Sequence, residues 1–406
     1  MSYLDEVCVE KASLCYNRGI ANIPLMRGTF FRETETKGLL VDFIRRAERL
    51  SMGEQCEAFE QAFAAWQKRA FAVFVSSGSA ANLVLLQSLL NLGTLKRGDR
   101  IGFSAITWAT NVMPIIQLGL TPVPLDCEIS SLNTSLRLLE ERCEGLQAVF
   151  LTDVLGFCSD LDRIRDFCTQ KNILLLEDAC ESLGSIHAGR LLGNFGLAST
   201  FSFFVGHHLS TIEGGMICTD DPALHRMLVM VRAHGWDRQL PVPEQKKLRK
   251  ENGVSDFDAL YTFYDLAFNA RPTEIAGFLG NVQLPFLAEI VERREKHFLC
   301  FHKAVASRPD RYVPLEVSHL ERISNFAMPV VCRSCSLRDE TTRRFREAGV
   351  EIRPIVAGDI TEQPFYRKYM PTAQCPQAKV IQTQGFYFPN HPDLTEEEVQ
   401  VLCGLL

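Results

Sequence analysis

Two adjacent histidines, His207 and His208, follow an apolar run and precede the turn Glu213-Gly-Gly. In such a layout, the residue six positions before the glutamate is where a lysine amine bonds covalently to the aldehyde of a cofactor. An imidazole forms no such bond, but it accepts and donates protons near neutral pH. The residue type therefore predicts that His207 transfers protons beside a non-covalently held cofactor. We expect His208 to orient His207 or to pack behind it.

A second segment, Ser76-Ser-Gly78-Ser79, joins a predicted strand to a predicted helix. Small residues at such a junction let backbone N–H groups and hydroxyls surround a phosphate at the positive end of the helix. Ser202, five residues before His207, is a further candidate phosphate ligand. Loops of this composition are common at helix starts, so the segment needs support from other residues.

That support comes from acidic and aromatic residues in a fixed order along the chain. Asp178 follows the apolar run Ile173–Leu176, where α/β sheets place ligands, and a carboxylate there can pair with a protonated pyridine nitrogen. Glu181 can reach a ring hydroxyl, and Trp108 can stack on an aromatic cofactor. Each residue alone has an ordinary structural explanation, such as a helix cap or a core tryptophan. Their joint order predicts a pyridoxal phosphate site.

Short apolar runs alternate with helical patterns between residues 55 and 220, which predicts an α/β fold with a mostly parallel sheet. We expect a large domain over residues 1–285, with an N-terminal extension over about 1–22. A smaller α+β domain over 286–406 would carry a sheet formed by Ala327–Val331 and Ile352–Ile355. Residues 241–256 are charged and contain proline and glycine, which favours an exposed loop. The predicted strands of the large domain are Phe71–Val75, Arg100–Phe103, Thr121–Leu125, Ala148–Leu151 and Ile173–Leu176.

Composition is that of an ordinary globular enzyme, with 406 residues, 46% hydrophobic and 23% charged. The net charge of −6 argues against a general nucleic-acid or anionic-membrane surface. No secretory signal pattern and no apolar run of about 20 residues is visible, so we expect a cytoplasmic protein. Fourteen cysteines are scattered along the chain, and the pair Cys332 and Cys335 lacks the second ligand pair that a metal role would need.

Several segments together resemble the DegT/StrS family of nucleotide-sugar aminotransferases, and within it the branch that carries histidine in place of lysine. They are Val75-Ser-Ser-Gly-Ser, Leu176-Glu-Asp-Ala-Cys-Glu-Ser, Gly206-His-His, Arg232-Ala-His-Gly-Trp236, Asn269-Ala-Arg-Pro-Thr-Glu274 and Arg353-Pro-Ile-Val. The resemblance implies the type I aspartate aminotransferase fold. It also implies that Asn269 reaches the cofactor phosphate of a neighbouring subunit in a homodimer.

The resemblance further implies a role for each matching residue. Gly78, Ser79 and Ser202 would hold the cofactor phosphate, Trp108 would stack on the ring, Asp178 would pair with the pyridine nitrogen, and His207 would be the catalytic base. Arg232, Arg271 and Arg353 would anchor the substrate or its diphosphate. No cysteine lies between Cys218 and Cys300, so we expect no [2Fe–2S] cluster of the kind that a related branch holds.

The implied activity is a 3-dehydratase reaction that depends on pyridoxamine phosphate. The expected substrate is a nucleotide-linked 4-keto-6-deoxyhexose, GDP-4-keto-6-deoxymannose in the first instance, with L-glutamate as amino donor. The products would be a 4-keto-3,6-dideoxy sugar and ammonia. The residues Phe204-Val-Gly206 depart from the branch pattern, so the sugar itself stays open.

Two other functions fit the same residues. The first is an aminotransferase that uses His207 as its base and stops at the amino sugar without releasing ammonia. The second is a non-catalytic protein that senses vitamin B6 or a nucleotide sugar, which would bind cofactor without reacting with glutamate. Simple loss of a lysine is a less satisfactory explanation, since drift would also have eroded the surrounding residues.

Overall fold

A seven-stranded sheet forms the centre of the computed structural model, which describes residues 22–371 and 373–406. Its strands are β1 (Phe71–Val75), β2 (Arg100–Ser104), β3 (Thr121–Leu125), β4 (Leu146–Thr152), β5 (Leu174–Asp178), β8 (Ala198–Ser202) and β9 (Gly215–Thr219). Their order across the sheet is β1–β9–β8–β5–β4–β2–β3. The pairs are parallel except the two that involve β9, so the carboxyl ends of the other strands share one edge. The predicted N-terminal extension lies outside the described residues except for Asn22.

Helices cover both faces of this sheet. They are α2 (Glu54–Gln67), α3 (Gly78–Asn91), α4 (Ala109–Gln117), α5 (Leu136–Glu140), α6 (Leu161–Lys171) and α7 (Pro222–Arg232), whereas α1 (Glu33–Arg46) packs against the later helix Glu274–Gln283. Burial on both faces explains why the strands read as continuous apolar runs and not as alternating patterns. Val73 and Phe150 pack among buried residues of α3 and α4, whereas Val149 and Leu175 pack toward α6. The predicted α/β class is confirmed.

The C-terminal part carries two small sheets. Its elements are α9 (Glu274–Gln283), α10 (Leu287–Ala306), β10 (Leu320–Arg322), β11 (Ala327–Val331), α11 (Cys335–Glu347), α12 (Pro364–Tyr369), α13 (Pro376–Gln384), β12 (Gly385–Pro389) and α14 (Glu396–Leu405). β11 pairs antiparallel with β12, so the predicted strand at 352–355 is wrong. Pro354 has no N–H to donate, and this segment contributes only the isolated bridge between Arg353 and Tyr387.

The predicted boundary near residue 285 stays a prediction, and several contacts cross it. β10 pairs with β6 (Ile186–His187), which also pairs with β7 (Arg190–Leu191). One buried cluster contains Ala105 and Phe157 from the first part together with Phe298 and Phe388 from the second. The two parts therefore share a hydrophobic core beside the carboxyl edge of the main sheet.

The segment predicted to be a loop at 241–256 instead contains a helix, α8 (Val242–Asn252). None of its residues is buried, so its exposure agrees with the prediction but its conformation does not. Pro243 in the first turn favours a helix start, and Gly253 ends the helix with φ of 66°. These signals outweigh the high charge of the segment.

Among the described residues, one helical stretch, Glu274–Ala306, is long and apolar enough to cross a membrane. Half of its most apolar part is buried inside the protein. Length and composition alone give weak evidence, because core helices of globular proteins meet the same criterion. The stretch contributes Leu287, Phe298 and Phe301 to the interior.

Candidate active site

The loop between β1 and α3 forms an open helix N-terminus at the carboxyl edge of the main sheet. Ser77 caps α3 with its side chain. A Cβ at Gly78 would come within 2.7 Å of the Ser202 Cβ, so glycine lets this loop pack against the end of β8. Ser79 is exposed, and its hydroxyl lies 3.1 Å from the Thr110 Oγ1. Hydroxyls beside free N–H groups at a helix start suit a phosphate group.

The turn that follows the two histidines lies directly against this loop. A Cβ at Gly215 would collide with the main chain of Ser77 and Gly78. A Cβ at Gly214 would collide with the Thr211 hydroxyl. Glycine is therefore required in this turn because two backbones approach closely, which accounts for the motif that first drew attention to His207.

Asp178 ends β5 and is held by side-chain amides from two helices. The Asn82 Nδ2 donates to its Oδ2 at 2.9 Å, and the Asn111 Nδ2 lies 3.4 Å from the same oxygen. The Cys180 N–H donates to the Oδ1 at 3.2 Å. Thr200 in turn fixes Asn82 by donating to its Oδ1 at 2.7 Å. This network presents a carboxylate in one orientation at the sheet edge, as a pyridine-nitrogen partner requires.

Glu181 is buried three residues beyond Asp178. Burial raises the pKa of Glu181 to about 8, and the charge of Asp178 adds to that effect. The Leu155 N–H opposes it by donating to the Oε2 at 2.8 Å. The carboxyl group therefore carries a proton at pH 7 and can donate a hydrogen bond to a cofactor oxygen.

His207 lies on the loop that connects β8 to β9. Its ring centroid is 5.2 Å from that of Phe326, and its buried Nδ1 has no hydrogen-bond partner in the described part of the chain. Burial and, to a smaller extent, the nearby Arg294 guanidinium lower the pKa of His207 to about 4. A hydrogen bond with the Cys180 carbonyl acts in the opposite direction and raises it. The imidazole is therefore neutral at pH 7 and able to accept a proton.

His208 is buried behind this ring. Its Nε2 lies 3.1 Å from the Ser324 carbonyl oxygen, and its ring meets Phe326 edge to face. Burial holds the pKa of His208 well below its usual value. These contacts place the second histidine in a packing position, in line with the expectation from the sequence.

Trp108, Asn269 and Arg271 are predicted site residues that lie at the surface. Trp108 precedes α4 and is 56% exposed, and its carbonyl accepts from the Asn111 N–H, which ties it to the Asp178 network. Asn269 and Arg271 are both exposed, and the Arg271 Nε donates to the Asn269 Oδ1 at 2.9 Å. The Trp108 ring is thus free to stack on a ligand, and the Asn269–Arg271 pair faces outward.

The remaining predicted arginines have different surroundings. Arg353 is exposed and pairs with Glu351. Its main chain bridges to Tyr387, and the Tyr387 ring contacts Phe326, the residue beside His207. Arg232 is buried and pairs with Glu60, while also donating to the Phe74 carbonyl at 2.7 Å. These internal contacts contradict the prediction that Arg232 anchors substrate, because its guanidinium is committed inside the protein.

Sequence reasoning did not single out Asn82, Asn111, Cys180 or Arg294. The two asparagines each lie within the first five residues of a helix that follows a strand, which is a signal that could have been used. Cys180 contacts both the phosphate loop and the histidine loop. A Cβ at Gly78 would lie 3.2 Å from the Cys180 Sγ, and the Cys180 carbonyl faces the His207 ring. Arg294 carries no sequence signal, because Arg293-Arg-Glu reads as a solvated charge run.

A separate cluster away from this site combines Cys158, His187 and His319, whose ligand atoms lie within 4.8 Å of one another. The His187 Nε2 is 2.9 Å from an Asp162 oxygen, and its Nδ1 is 3.0 Å from the His319 carbonyl. Both ring nitrogens are thus already engaged, so the cluster offers no free histidine lone pair there. Of the other cysteines, Cys332 is buried and Cys335 is exposed at the start of α11.

Comparison with known proteins explains this arrangement. The model of the DegT/DnrJ/EryC1/StrS aminotransferase family matches residues 32–406. The chain belongs to this family. The resemblance inferred from its motifs is therefore confirmed, and so is the aminotransferase fold, because solved structures superpose on nearly the whole chain.

Several similar members of the DegT/DnrJ/EryC1/StrS family are 3-dehydratases, and others are GDP-perosamine synthases. A GDP-4-keto-6-deoxy-D-mannose 3-dehydratase of Yersinia pseudotuberculosis is 32% identical over 95% of this chain and 98% of its own length. The solved Escherichia coli GDP-4-keto-6-deoxy-D-mannose-3-dehydratase with bound hydrated PLP is 30% identical, with a TM-score of 0.86 over 96% of this chain and all of that one. A second solved 3-dehydratase, with a trapped PLP-glutamate geminal diamine, is 30% identical, with a TM-score of 0.86 over 95% of this chain and all of that one.

Proposed function

We propose that this protein is a 3-dehydratase that uses pyridoxamine phosphate to remove the C3 hydroxyl of GDP-4-keto-6-deoxymannose. The observation that carries the proposal is an imidazole at position 207, where a lysine amine would otherwise stand, beside a glycine-containing helix N-terminus and a carboxylate that is fixed by hydrogen bonds. The 3-dehydratase names of the similar family members support the same substrate. L-Glutamate is the proposed amino donor.

The residues present fit this cofactor. The α3 N-terminus with Gly78, Ser79 and Ser202 suits the phosphate, since a Cβ at Gly78 would fill the space against β8. Asp178 suits the pyridine nitrogen, because two amides and an N–H fix its carboxylate. Protonated Glu181 suits the ring oxygen as a hydrogen-bond donor. When bound, pyridoxamine phosphate supplies an amine that joins the sugar ketone and a ring that accepts electrons.

His207 performs the proton transfers in this proposal. With the cofactor in place, its neutral imidazole could accept a proton and could then pass one to the hydroxyl that leaves C3 of the sugar, while the cofactor would supply the electron-accepting ring. Trp108 would stack on the cofactor, and the exposed Arg271 and Arg353 would contact the substrate or its diphosphate.

A homodimer in the cytoplasm completes the proposal. The segment before Asn269 exposes large apolar side chains, with Phe257 81%, Tyr261 77% and Leu266 63% exposed. Exposed apolar patches of this kind mark contact surfaces between proteins. A second copy covering this segment would bring Asn269 and Arg271 toward the cofactor of its partner.

Product analysis tests the function. The full-length protein is incubated with pyridoxal phosphate, L-glutamate and GDP-4-keto-6-deoxymannose, and mass spectrometry follows loss of one hydroxyl oxygen while an ammonia assay follows turnover. We expect ammonia and deoxygenated sugar in equal amounts. An amino sugar without ammonia would identify an aminotransferase instead. Cofactor binding with no reaction toward glutamate would identify a sensor. The same sugar linked to dTDP tests the choice of nucleotide.

A further inference from the structure

The strongest unassigned feature near the site is Arg294 on α10, whose side chain has no exposed surface. Its Nη2 donates to the His207 carbonyl at 3.2 Å, and its Nη1 donates to the Phe326 carbonyl at 3.0 Å. The Nη1 also donates to the carbonyl of Asn390. The guanidinium therefore joins three segments, the histidine loop, the start of β11 and the end of β12.

This buried cation lacks the usual counter-charge. Within residues 22–371 and 373–406, no carboxylate lies within ion-pair distance of Arg294, and main-chain carbonyls solvate its charge. Asp393 is the one acid that raises the pKa of Arg294, and burial lowers that pKa to about 9, so the group stays charged at pH 7. A buried charge solvated by dipoles acts strongly on its neighbours, since little water screens it.

The effect of this charge falls on the histidine next to it. Burial and then the Arg294 charge lower the pKa of His207, while the Cys180 carbonyl works in the opposite direction. The other titratable groups around Arg294 are His208 on the same loop, His297 on α10, and His391 and Asp393 after β12. All three of these histidines are also disfavoured as cations by Arg294, so none supplies a competing positive charge at neutral pH.

We propose that Arg294 is a positioning residue that fixes the His207 loop against the C-terminal sheet and keeps the His207 imidazole in its neutral, proton-accepting form. This inference rests on the proposed function, in which His207 is the base. Two observations carry it independently of any titration, namely the direct bond to the His207 carbonyl and the complete burial of a guanidinium without an acid partner.

The test measures the protonation of His207 itself. The full-length protein is labelled with ¹³C-histidine, His207 is assigned with the variant His207→Asn, and its NMR titration is followed with and without pyridoxamine phosphate. In Arg294→Met the midpoint should rise by about one pH unit or more, as expected when a nearby, poorly screened unit charge that lowers the His207 pKa is removed. Arg294→Lys keeps the charge and should keep the low midpoint.

Arg293→Met provides the matched control. Arg293 is the neighbouring arginine of the same helix, but it is half-exposed and pairs with Glu289 at 2.7 Å. Its removal should leave the His207 midpoint unchanged. An unchanged midpoint in folded Arg294→Met, or an equal rise in Arg293→Met, would overturn the proposal.

A second pair of variants decides the question if Arg294→Met does not fold. The Met26 Sδ lies 3.9 Å from the Arg294 Nη2, and Met26 is partly exposed. Met26→Glu places a carboxylate against the guanidinium without removing it, and Met26→Gln is its neutral control. The His207 midpoint should rise in Met26→Glu only, and a midpoint equal to that of Met26→Gln would contradict the inference.

Kinetics provide a further readout that separates this inference from the proposed function. If the protein deoxygenates the sugar, the acid limb of kcat/KM should move to higher pH by the same amount in Arg294→Met, because His207 is then protonated over a wider range. If the wild type shows no deoxygenation but the titration moves as expected, the proposed function fails while the role of Arg294 toward His207 stands.

Discussion

The buried carboxyl group of Glu181 makes the electrostatics of the site measurable through protein stability. Burial raises the pKa of Glu181 from 4.5 to about 8, so the folded protein binds this proton more tightly than the unfolded chain does. The stabilising contribution of that proton is fully present below pH 4.5 and is lost as the pH rises through about 8. Glu181→Gln keeps the shape and the donor but removes the ionisation.

The size of the effect follows from the two pKa values. At about 1.4 kcal/mol for each pKa unit, the wild type loses up to about 5 kcal/mol of unfolding free energy across this range, of which about 3 kcal/mol falls between pH 6 and 9. Glu181→Gln loses none of this. The buried histidines His207, His297 and His391, whose folded pKa values lie at about 4 or below, still titrate in the unfolded chain near pH 6.5, but they do so equally in both proteins, so the difference between Glu181→Gln and the wild type isolates Glu181.

Denaturant unfolding at pH 6 and pH 9 measures the difference. We expect the stability of Glu181→Gln relative to the wild type to increase by about 3 kcal/mol between the two pH values. Glu251→Gln, on the exposed helix α8, is the control and should track the wild type at both. If the gap between Glu181→Gln and the wild type is the same at pH 6 and pH 9, Glu181 is already ionised at pH 6 and cannot act as the donor proposed for it.

The other predictions concern the cofactor contacts. His207→Lys should form a borohydride-reducible covalent bond to pyridoxal phosphate, visible by mass spectrometry, and should lose deoxygenation; native-rate deoxygenation by this variant would refute the role of His207. Gly215→Ala should weaken the protein by about 1–3 kcal/mol in thermal unfolding, because its Cβ collides with the phosphate loop, whereas Gly206→Ala, whose Cβ meets only the Phe204 ring at 3.5 Å, should not. Asn82→Ala removes the amide that Asp178 and Thr200 share. Because an unpaired buried group costs about 1–3 kcal/mol, the cofactor dissociation constant, measured by fluorescence titration, should rise about tenfold. An unchanged constant would contradict the proposed contact between Asp178 and the cofactor.

Five of the seven strands of the main sheet could be predicted from the sequence because each is a short, continuous apolar run, whereas β8 and β9 contain small and polar residues and were not predicted. The predicted bounds Phe71–Val75 and Thr121–Leu125 match the structure in full, since strands that are covered on both faces have no alternating polar face to blur their ends. The second strand of the small sheet was misplaced, because Ile352–Ile355 and Gly385–Pro389 have similar apolar character and only long-range pairing selects the latter. Helix α8 was not predicted because the high charge of the segment was given more weight than Pro243 at its start and Gly253 at its end.

The site was only partly predictable for a related reason. Asp178 and His207 could be found because each follows an apolar strand, so its position at the sheet edge is a local property. Their partners are not local, since Asn82 is 96 residues from Asp178, and Arg294 is 87 residues from His207. Arg232 was misjudged on the same account, because a sequence motif cannot show that Glu60, 172 residues away, takes up the guanidinium.

The environment at position 207 also explains why one substitution can redirect the chemistry without disabling the site. Burial and the Arg294 charge disfavour any cation there, whichever residue is present. A lysine in the same place would be pushed toward its neutral, nucleophilic form, as a residue that bonds to an aldehyde requires. A histidine is instead kept as a neutral base. The surroundings therefore serve both residues, and the exchange removes only the nucleophilic amine. On this reasoning the covalent bond should return in His207→Lys and should weaken in the double variant His207→Lys/Arg294→Met, because the lysine is then protonated up to a higher pH.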